Sequence, residues 1–355
     1  MNSKNKILIT KAGKIIAAAG KMRRPDDAAL RIPARRLWLI VLGAMLLFWN
    51  LGVADAGDLS HYAPGASNLR DLFAPLDKGA QFRFITYYYS AETFKDEHGR
   101  TINSVNVAGR PFPLEISLSS LSFVPVFIWS PDWKPLGADV GMFAALPIHQ
   151  VSSSTRLTNV FSGVVSEDNQ RSSGLGDFRI QPLWLTWRLT RFNIGMAYAL
   201  YAPTGKHDSD SSANTGLGSW SHQFQAPFAV HFDDAKSLSL VGAATYELNH
   251  EKSDAHLTPG SHFTMNYGLS KLIPCGKGLF DLAALGYSQW QVTDDSGPGV
   301  NYDASVHDRV HALGVQILYS HPSRHSMAAF KYLKEYGAID RPRGDVFVLT
   351  LMYRF

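Results

Sequence analysis

Arg179 and Gln181, Lys331 and Glu335, and the isolated Glu247, Asp281, Gln289 and Arg354 are charged or amide residues within stretches that otherwise alternate apolar with small or polar side chains. In an extended chain, residues two or four apart share a face. A polar set on one such face does no bond-making chemistry by itself. It hydrates a lumen or pairs with a plug, and it is costly against lipid. Lys331 and Glu335, four apart, and Arg354 on the following strand are expected to point inward and to attract one another across a poorly screened lumen. A network that merely fills a narrow interior is the alternative use of these charges.

Patterns that would mark an enzyme fall short. Gly174-x-Gly176 opens a strand rather than a helix, so the context of a dinucleotide site is missing. His307 and His311 lie where a loop enters a strand, and a spacing of four does not converge on a metal there. Asp294-Asp295-Ser296-Gly297 lacks the full acidic pattern of a calcium loop and suits a polar turn. Serine and histidine are plentiful, but nothing in the sequence marks a particular pair. No catalytic residue, metal or cofactor is expected.

The elements that would position the inward set are strands. The chain closes on Val346-Phe347-Val348-Leu349-Thr350-Leu351-Met352-Tyr353-Arg354-Phe355, where Phe347, Leu349, Leu351, Tyr353 and Phe355 form one apolar stripe. Such a stripe suits a wall with lipid outside, and a last strand that pairs with the first. Similar stripes run through Phe192, Ile194, Met196, Tyr198 and Leu200, and through Leu313, Val315, Ile317 and Tyr319. Strands are expected near 80–92, 114–129, 136–149, 175–189, 191–203, 219–232, 236–249, 262–274, 277–292, 309–321, 324–337 and 343–355. That is an even set of twelve, as single-chain bacterial barrels have. Short links near 130–135, 190, 233–235, 275–276 and 322–323 alternate with long polar links near 93–113, 151–174, 204–218, 251–261 and 293–308. Outer-membrane barrels sort their links in this way, with long loops outside. A soluble β-sandwich built from the same strands has no reason to. Twelve strands enclose a lumen between the filled eight-stranded case and the open porins.

The amino-terminal region reads as an address. Arg31, Arg35 and Arg36 precede 13 apolar residues from Leu37 to Trp49, and Ala54-Asp55-Ala56 follows as a small-x-small cleavage site, so residues 1–56 form a basic leader and signal peptide. That segment holds ten of the 34 basic residues and three of the 30 acidic ones, leaving 24 against 27 and a net charge of −3. A mature chain of that charge loses the main support for nucleic-acid binding. The single Cys275 excludes an intramolecular disulfide. Residues 57–79, carrying His61, Tyr62, Arg70, Asp71 and Phe73, are expected to be either a periplasmic arm or a plug, ahead of a barrel over 80–355.

Several phrases carry a family resemblance: His61-Tyr62-Ala63-Pro64-Gly65, Tyr87-Tyr88-Tyr89-Ser90-Ala91, Gly174-Leu175-Gly176-Asp177-Phe178, Tyr201-Ala202-Pro203-Thr204-Gly205, Asn214-Thr215-Gly216-Leu217-Gly218, Thr258-Pro259-Gly260, and Gln291-Val292-Thr293-Asp294-Asp295-Ser296-Gly297. In this order and spacing the chain resembles the meta-pathway phenol-degradation family of outer-membrane β-barrel proteins, over roughly residues 58–355. The resemblance implies an all-β antiparallel barrel in the outer membrane of a Gram-negative bacterium. It implies passive uptake of small hydrophobic or aromatic compounds linked to their degradation. A barrel with a structural or hydrolytic role and no transport is the other reading. The partners expected are outer-membrane lipid, the barrel-assembly machinery through the C-terminal strand, and the solute itself.

Overall fold

A computed structural model describes residues 60–107, 110–158, 165–209, 211–252 and 254–355. The leader read over 1–56 lies outside the described residues. From Gly79 the chain is almost wholly β. Its strands are β1 (Gly79–Phe94), β2 (Ser104–Val107), β3 (Arg110–Ser130), β4 (Asp139–Val140), β5 (Met142–Ala145), β6 (Ile148–Thr158), β7 (Val165–Leu175), β8 (Phe178–Arg188), β9 (Phe192–Ala202), β10 (Ser221–His231), β11 (Leu238–Asn249), β12 (His262–Cys275), β13 (Gly278–Gln291), β14 (Arg309–His321), β15 (Ser326–Ile339) and β16 (Pro342–Arg354).

From β8 to β16 each strand pairs antiparallel with the next, β5 joins β8 to β3, β6 pairs with β3 and β7, and β1 pairs with both β3 and β16, so the sheet closes on itself. Counting β4 to β6 as one interrupted wall strand and β7 with β8 as another, twelve strands form the wall, while β2 only covers the outer end of β3. Closure removes the edges that an open sheet would expose to lipid. It runs from Gln81 opposite Arg354 to Phe94 opposite Pro342, and the backbone N–H of Phe355 reaches Ala80 O.

The expected stripes face outward. Along β16, Phe347, Leu349, Leu351 and Tyr353 are exposed, whereas Val346, Val348 and Thr350 are buried. Leu313, Val315 and Ile317 on β14 and Phe192 and Met196 on β9 are exposed in the same way. The turns at the end that holds Gly79 and Arg354 are tight. The β12–β13 link is the pair Gly276-Lys277, and Gly276 takes a φ of 59°, which a hairpin this short requires and a side chain disfavours. The other end carries the long links 203–220, 250–261 and 292–308.

One expectation needs correction. The span 151–174, read as an external loop, is largely the β6–β7 hairpin, which continues two wall strands outward and pairs along the outer half of β3. Its serine- and threonine-rich sequence argues against burial but not against strand pairing, and β7 is exposed along most of its length. The sixth outward link, between β15 and β16, is only Asp340-Arg341.

Candidate functional site

The segment ahead of β1 lies inside the barrel, and the wall holds it at successive heights. At the periplasmic rim Lys78 bonds Asp139 at 2.6 Å and Asp77 forms an ion pair with Arg354. Higher up, Asp71 receives Arg83 of β1 at 2.7 Å, and Arg70 donates to Ser270 Oγ at 2.6 Å and to the carbonyls of Lys236 and Ser237. At mid-height Lys331 Nζ donates to Gly65 O at 2.6 Å and Ser67 O at 2.5 Å. Near the outer end Glu247 accepts the backbone N–H groups of His61 and Tyr62 at 2.6 and 2.8 Å. Residues 60–78 therefore form an arm that runs from one mouth almost to the other.

The arm also supplies part of the core. Ala63, Ala66, Leu69, Leu72 and Phe73 are buried in one cluster with inward wall residues such as Val126, Trp184, Leu285 and Leu333. A Cβ on Gly65, whose φ is 73°, would come within 2.7 Å of Leu333 Cδ1. Backbone conformation and close approach thus both demand glycine in His61-Tyr62-Ala63-Pro64-Gly65. Burial of the arm's apolar groups contributes at roughly 25 cal/mol per Å², and its buried backbone groups find polar partners on the wall.

The outer end is organised around three carboxylates. Asp177, between β7 and β8, accepts the N–H groups of Gly205 at 2.8 Å and Leu217 at 2.6 Å, and its Oδ2 lies 3.0 Å from His61 Nε2. Burial alone would raise this carboxyl, but His61 and the two N–H donors hold it below the ordinary range. Asp295 accepts from Gly260 N and Gln291 Nε2 at 2.9 and 3.0 Å. Asp308 bonds His262 at 3.0 Å and Arg341 at 2.8 Å. Four of the phrases that carry the family resemblance, scattered along the chain, thus meet at Asp177 and two more at Asp295, while Asp308 joins residues outside them.

His61 makes a further contact. Its Nδ1 lies 2.7 Å from Ser221 Oγ, so Ser221, His61 and Asp177 stand in line. The hydroxyl of Ser221 donates to Asn249 Oδ1 at 2.6 Å, and Ser221 is fully buried beneath the arm. This arrangement latches the arm to the wall. Nothing in the serine's own sequence context marked it.

Arg179, Gln181, Glu247, Asp281, Gln289, Lys331 and Glu335 are buried and Arg354 is half-buried, but the attraction expected among Lys331, Glu335 and Arg354 is not what the structure shows. Arg179 is fully buried, bonded through Nη2 to Gln181, with its guanidinium 4.8 Å from the Phe143 ring centre and 5.3 Å from that of Tyr201. Asp281 receives Ser270, and Gln289 receives Arg341. Lys331 and Glu335 do not pair with each other. Lys331 serves the arm, whereas Glu335 accepts from Tyr89 at 2.8 Å, Tyr287 at 2.7 Å and Gly344 N at 2.8 Å. Arg354 sits at the rim with Asp77 rather than in the lumen proper. Parity along a strand fixes the face on which a side chain stands, while the partner comes from the arm for Lys331 and Glu247 and from other parts of the wall for Glu335. Arg83, Asp177, Asn266, Asp308 and Arg341 were not singled out. The signal for Asp177 was its place in a glycine-framed phrase.

The sequence matches the family described as "Putative MetA-pathway of phenol degradation" over residues 94–351. The chain belongs to this family. Its fold is similar to that of an outer membrane channel from Pseudomonas putida F1, with a TM-score of 0.59 and 14% identity over 82% of this chain and 99% of that one. The β domain of the Bordetella autotransporter BrkA aligns at a TM-score of 0.41 and 10% identity, over 79% of this chain and all of that one. Comparison with curated proteins returned no match. The chain shares the fold of an outer membrane channel, and its described wall is the all-β antiparallel cylinder that the sequence implied.

Proposed function

We propose that this outer-membrane barrel is a passive channel for small hydrophobic or aromatic molecules, and that the arm over residues 60–78 restricts its lumen. The observation that carries this reading is that the interior is filled by a separate segment and not by wall side chains alone. Only non-covalent contacts hold that segment along its length, from Asp77 to His61. A barrel meant only as a scaffold is simplest with a solid core. A segment laid through the lumen gives it a passage that opens when the arm shifts. The family's description, phenol degradation, supports an aromatic solute. Degradation inside the cell would sustain the inward gradient, and no cofactor takes part.

The test is reconstitution. Protein in liposomes should admit a charged aromatic such as 4-hydroxybenzoate faster than empty liposomes do, and should give discrete single-channel conductance in planar bilayers. No flux and no conductance would remove the transport reading.

The alignment of Ser221, His61 and Asp177 favours one second reading, a hydrolase. Burial of Ser221 and its bond to Asn249 weigh against it. Ester hydrolysis by the purified barrel that disappears in Ser221→Ala would establish it in place of the latch.

A further inference from the structure

Tyr62 is the arm's phenol, and the wall holds it as it would hold a free one. The residue is 2% exposed. Its hydroxyl receives Asn266 Nδ2 at 2.9 Å, with the side chains of Gln225 and Thr245 also within hydrogen-bonding reach. These groups are neutral and can both donate and accept, as can the oxygen they surround. The backbone of Tyr62 is held separately, by Glu247. The seat therefore has two halves, one that grips peptide and one that recognises a phenol.

Beside the phenol half stands Arg179, whose charge acts on the Tyr62 oxygen. Arg179 is fully buried, yet its Nε and Nη1 atoms have no hydrogen-bond partner among the described residues. Buried guanidinium donors are rarely left unused, because each lost bond to a charged group is costly. The rings of Phe143 and Tyr201 and the carboxylate of Glu247 account for the charge of Arg179, but core filling by Tyr62 does not account for the two unused donors. A ligand with an ionisable hydroxyl does.

We propose that the seat of Tyr62 is the solute's own binding site, a site for small phenols that the arm fills with its own phenol in the closed state. A phenol entering from outside competes with Tyr62 and, on taking the seat, releases the tip of the arm. Passage is then coupled to the chemistry of the passenger. This inference rests on the reading of the barrel as a channel, and it adds the substrate class and the means by which that class opens the lumen.

A tethered competitor acts at an effective concentration on the order of millimolar, so removing it should expose the site. Calorimetric titration of the purified mature barrel in detergent with phenol tests this, with folding checked by heat-modifiable migration. Tyr62→Ala should bind phenol at least tenfold more tightly than wild type, and should bind anisole, whose oxygen carries no proton, at least tenfold more weakly than phenol. Adding Asn266→Leu should abolish the gain. If Tyr62→Ala does not fold, Tyr62→Ser, small enough to leave the seat vacant and able to bond its polar lining, should show the same gain. Equal affinity of wild type and variant for phenol, or equal affinity of the variant for phenol and anisole, would overturn the proposal. Tighter binding of benzoate than of phenol would do so as well, in favour of a carboxylate site. Binding is read here without flux: a phenol site in a barrel that conducts nothing would defeat the channel reading alone, and a conducting barrel without competition would defeat this inference alone.

Discussion

Glu247 holds the arm by the backbone at Tyr62: its Oε2 accepts the Tyr62 N–H at 2.8 Å while Oε1 accepts the neighbouring His61 N–H at 2.6 Å. One carboxylate spends both oxygens on two consecutive peptides 185 and 186 residues away in sequence. Glu247→Gln leaves a single acceptor oxygen and no charge. Loss of one charge-assisted bond costs about 2 kcal/mol, or roughly a thirtyfold shift away from the seated arm. The variant should fold normally and conduct more often in planar bilayers. Unchanged open probability would mean that Glu247 is incidental to the seat.

Acid should loosen the same end of the arm. The Asp177 carboxyl, held down by His61 and by the N–H groups of Leu217 and Gly205, has a lower pKa in the folded barrel than in the unfolded chain. A depressed carboxyl stabilises the folded arrangement fully above its ordinary value of 3.8, and that contribution fades as the pH falls through the lower native value. Conductance should therefore rise as the pH falls through and below that range. In Asp177→Asn the rise should be smaller and the conductance at neutral pH already higher. A pH response identical in the variant would place the titrating group elsewhere.

Lys331 and Glu335 provide a check on the corrected pairing. Lys331→Met leaves the carbonyls of Gly65 and Ser67 without their donor, and each buried orphan costs about 1–3 kcal/mol. Amide hydrogen exchange across residues 61–74 should accelerate in this variant. Because Glu335 bonds Tyr89, Tyr287 and Gly344 instead, the effects of Lys331→Met and Glu335→Gln should add within about 0.5 kcal/mol. Clear coupling between the two would restore the direct pair.

Deletion of Phe355 should hinder assembly more than deletion of a residue in the 292–308 loop. The stripe of β16 ends on this exposed ring, which packs edge-on to Tyr353 at 5.5 Å, and the residue's N–H still bonds Ala80 of β1. The yield of heat-modifiable barrel in outer-membrane fractions measures the effect. Normal yield from the deletion would show that closure tolerates a missing terminal aromatic.

The wall was legible because its physics is local. Period-two alternation at Phe347 to Phe355 and Leu313 to Tyr319 fixes which side chains meet lipid, and link length orients the barrel. The polar β6–β7 hairpin was not legible, since water on both faces imposes no apolar alternation on Val165–Leu175. The site was legible only in outline. Arg179, Glu247 and Lys331 are buried, but Glu247 and Lys331 meet the backbone of His61, Tyr62 and Gly65, residues with no periodic signal of their own, and Arg179 bonds Gln181. The contacts of Asp177 with Gly205 and Leu217 join segments distant in sequence, so the phrases that looked like separate signatures turn out to be parts of one assembly.

Flux through the barrel with and without its arm tests the channel most directly. Liposomes containing wild-type protein should take up 4-hydroxybenzoate faster than empty liposomes. A variant lacking residues 57–76, shown to be folded by heat-modifiable migration, should take it up several-fold faster still, with a matching rise in single-channel conductance. If both proteins behave as empty liposomes do, the barrel transports nothing and the arm is simply its core.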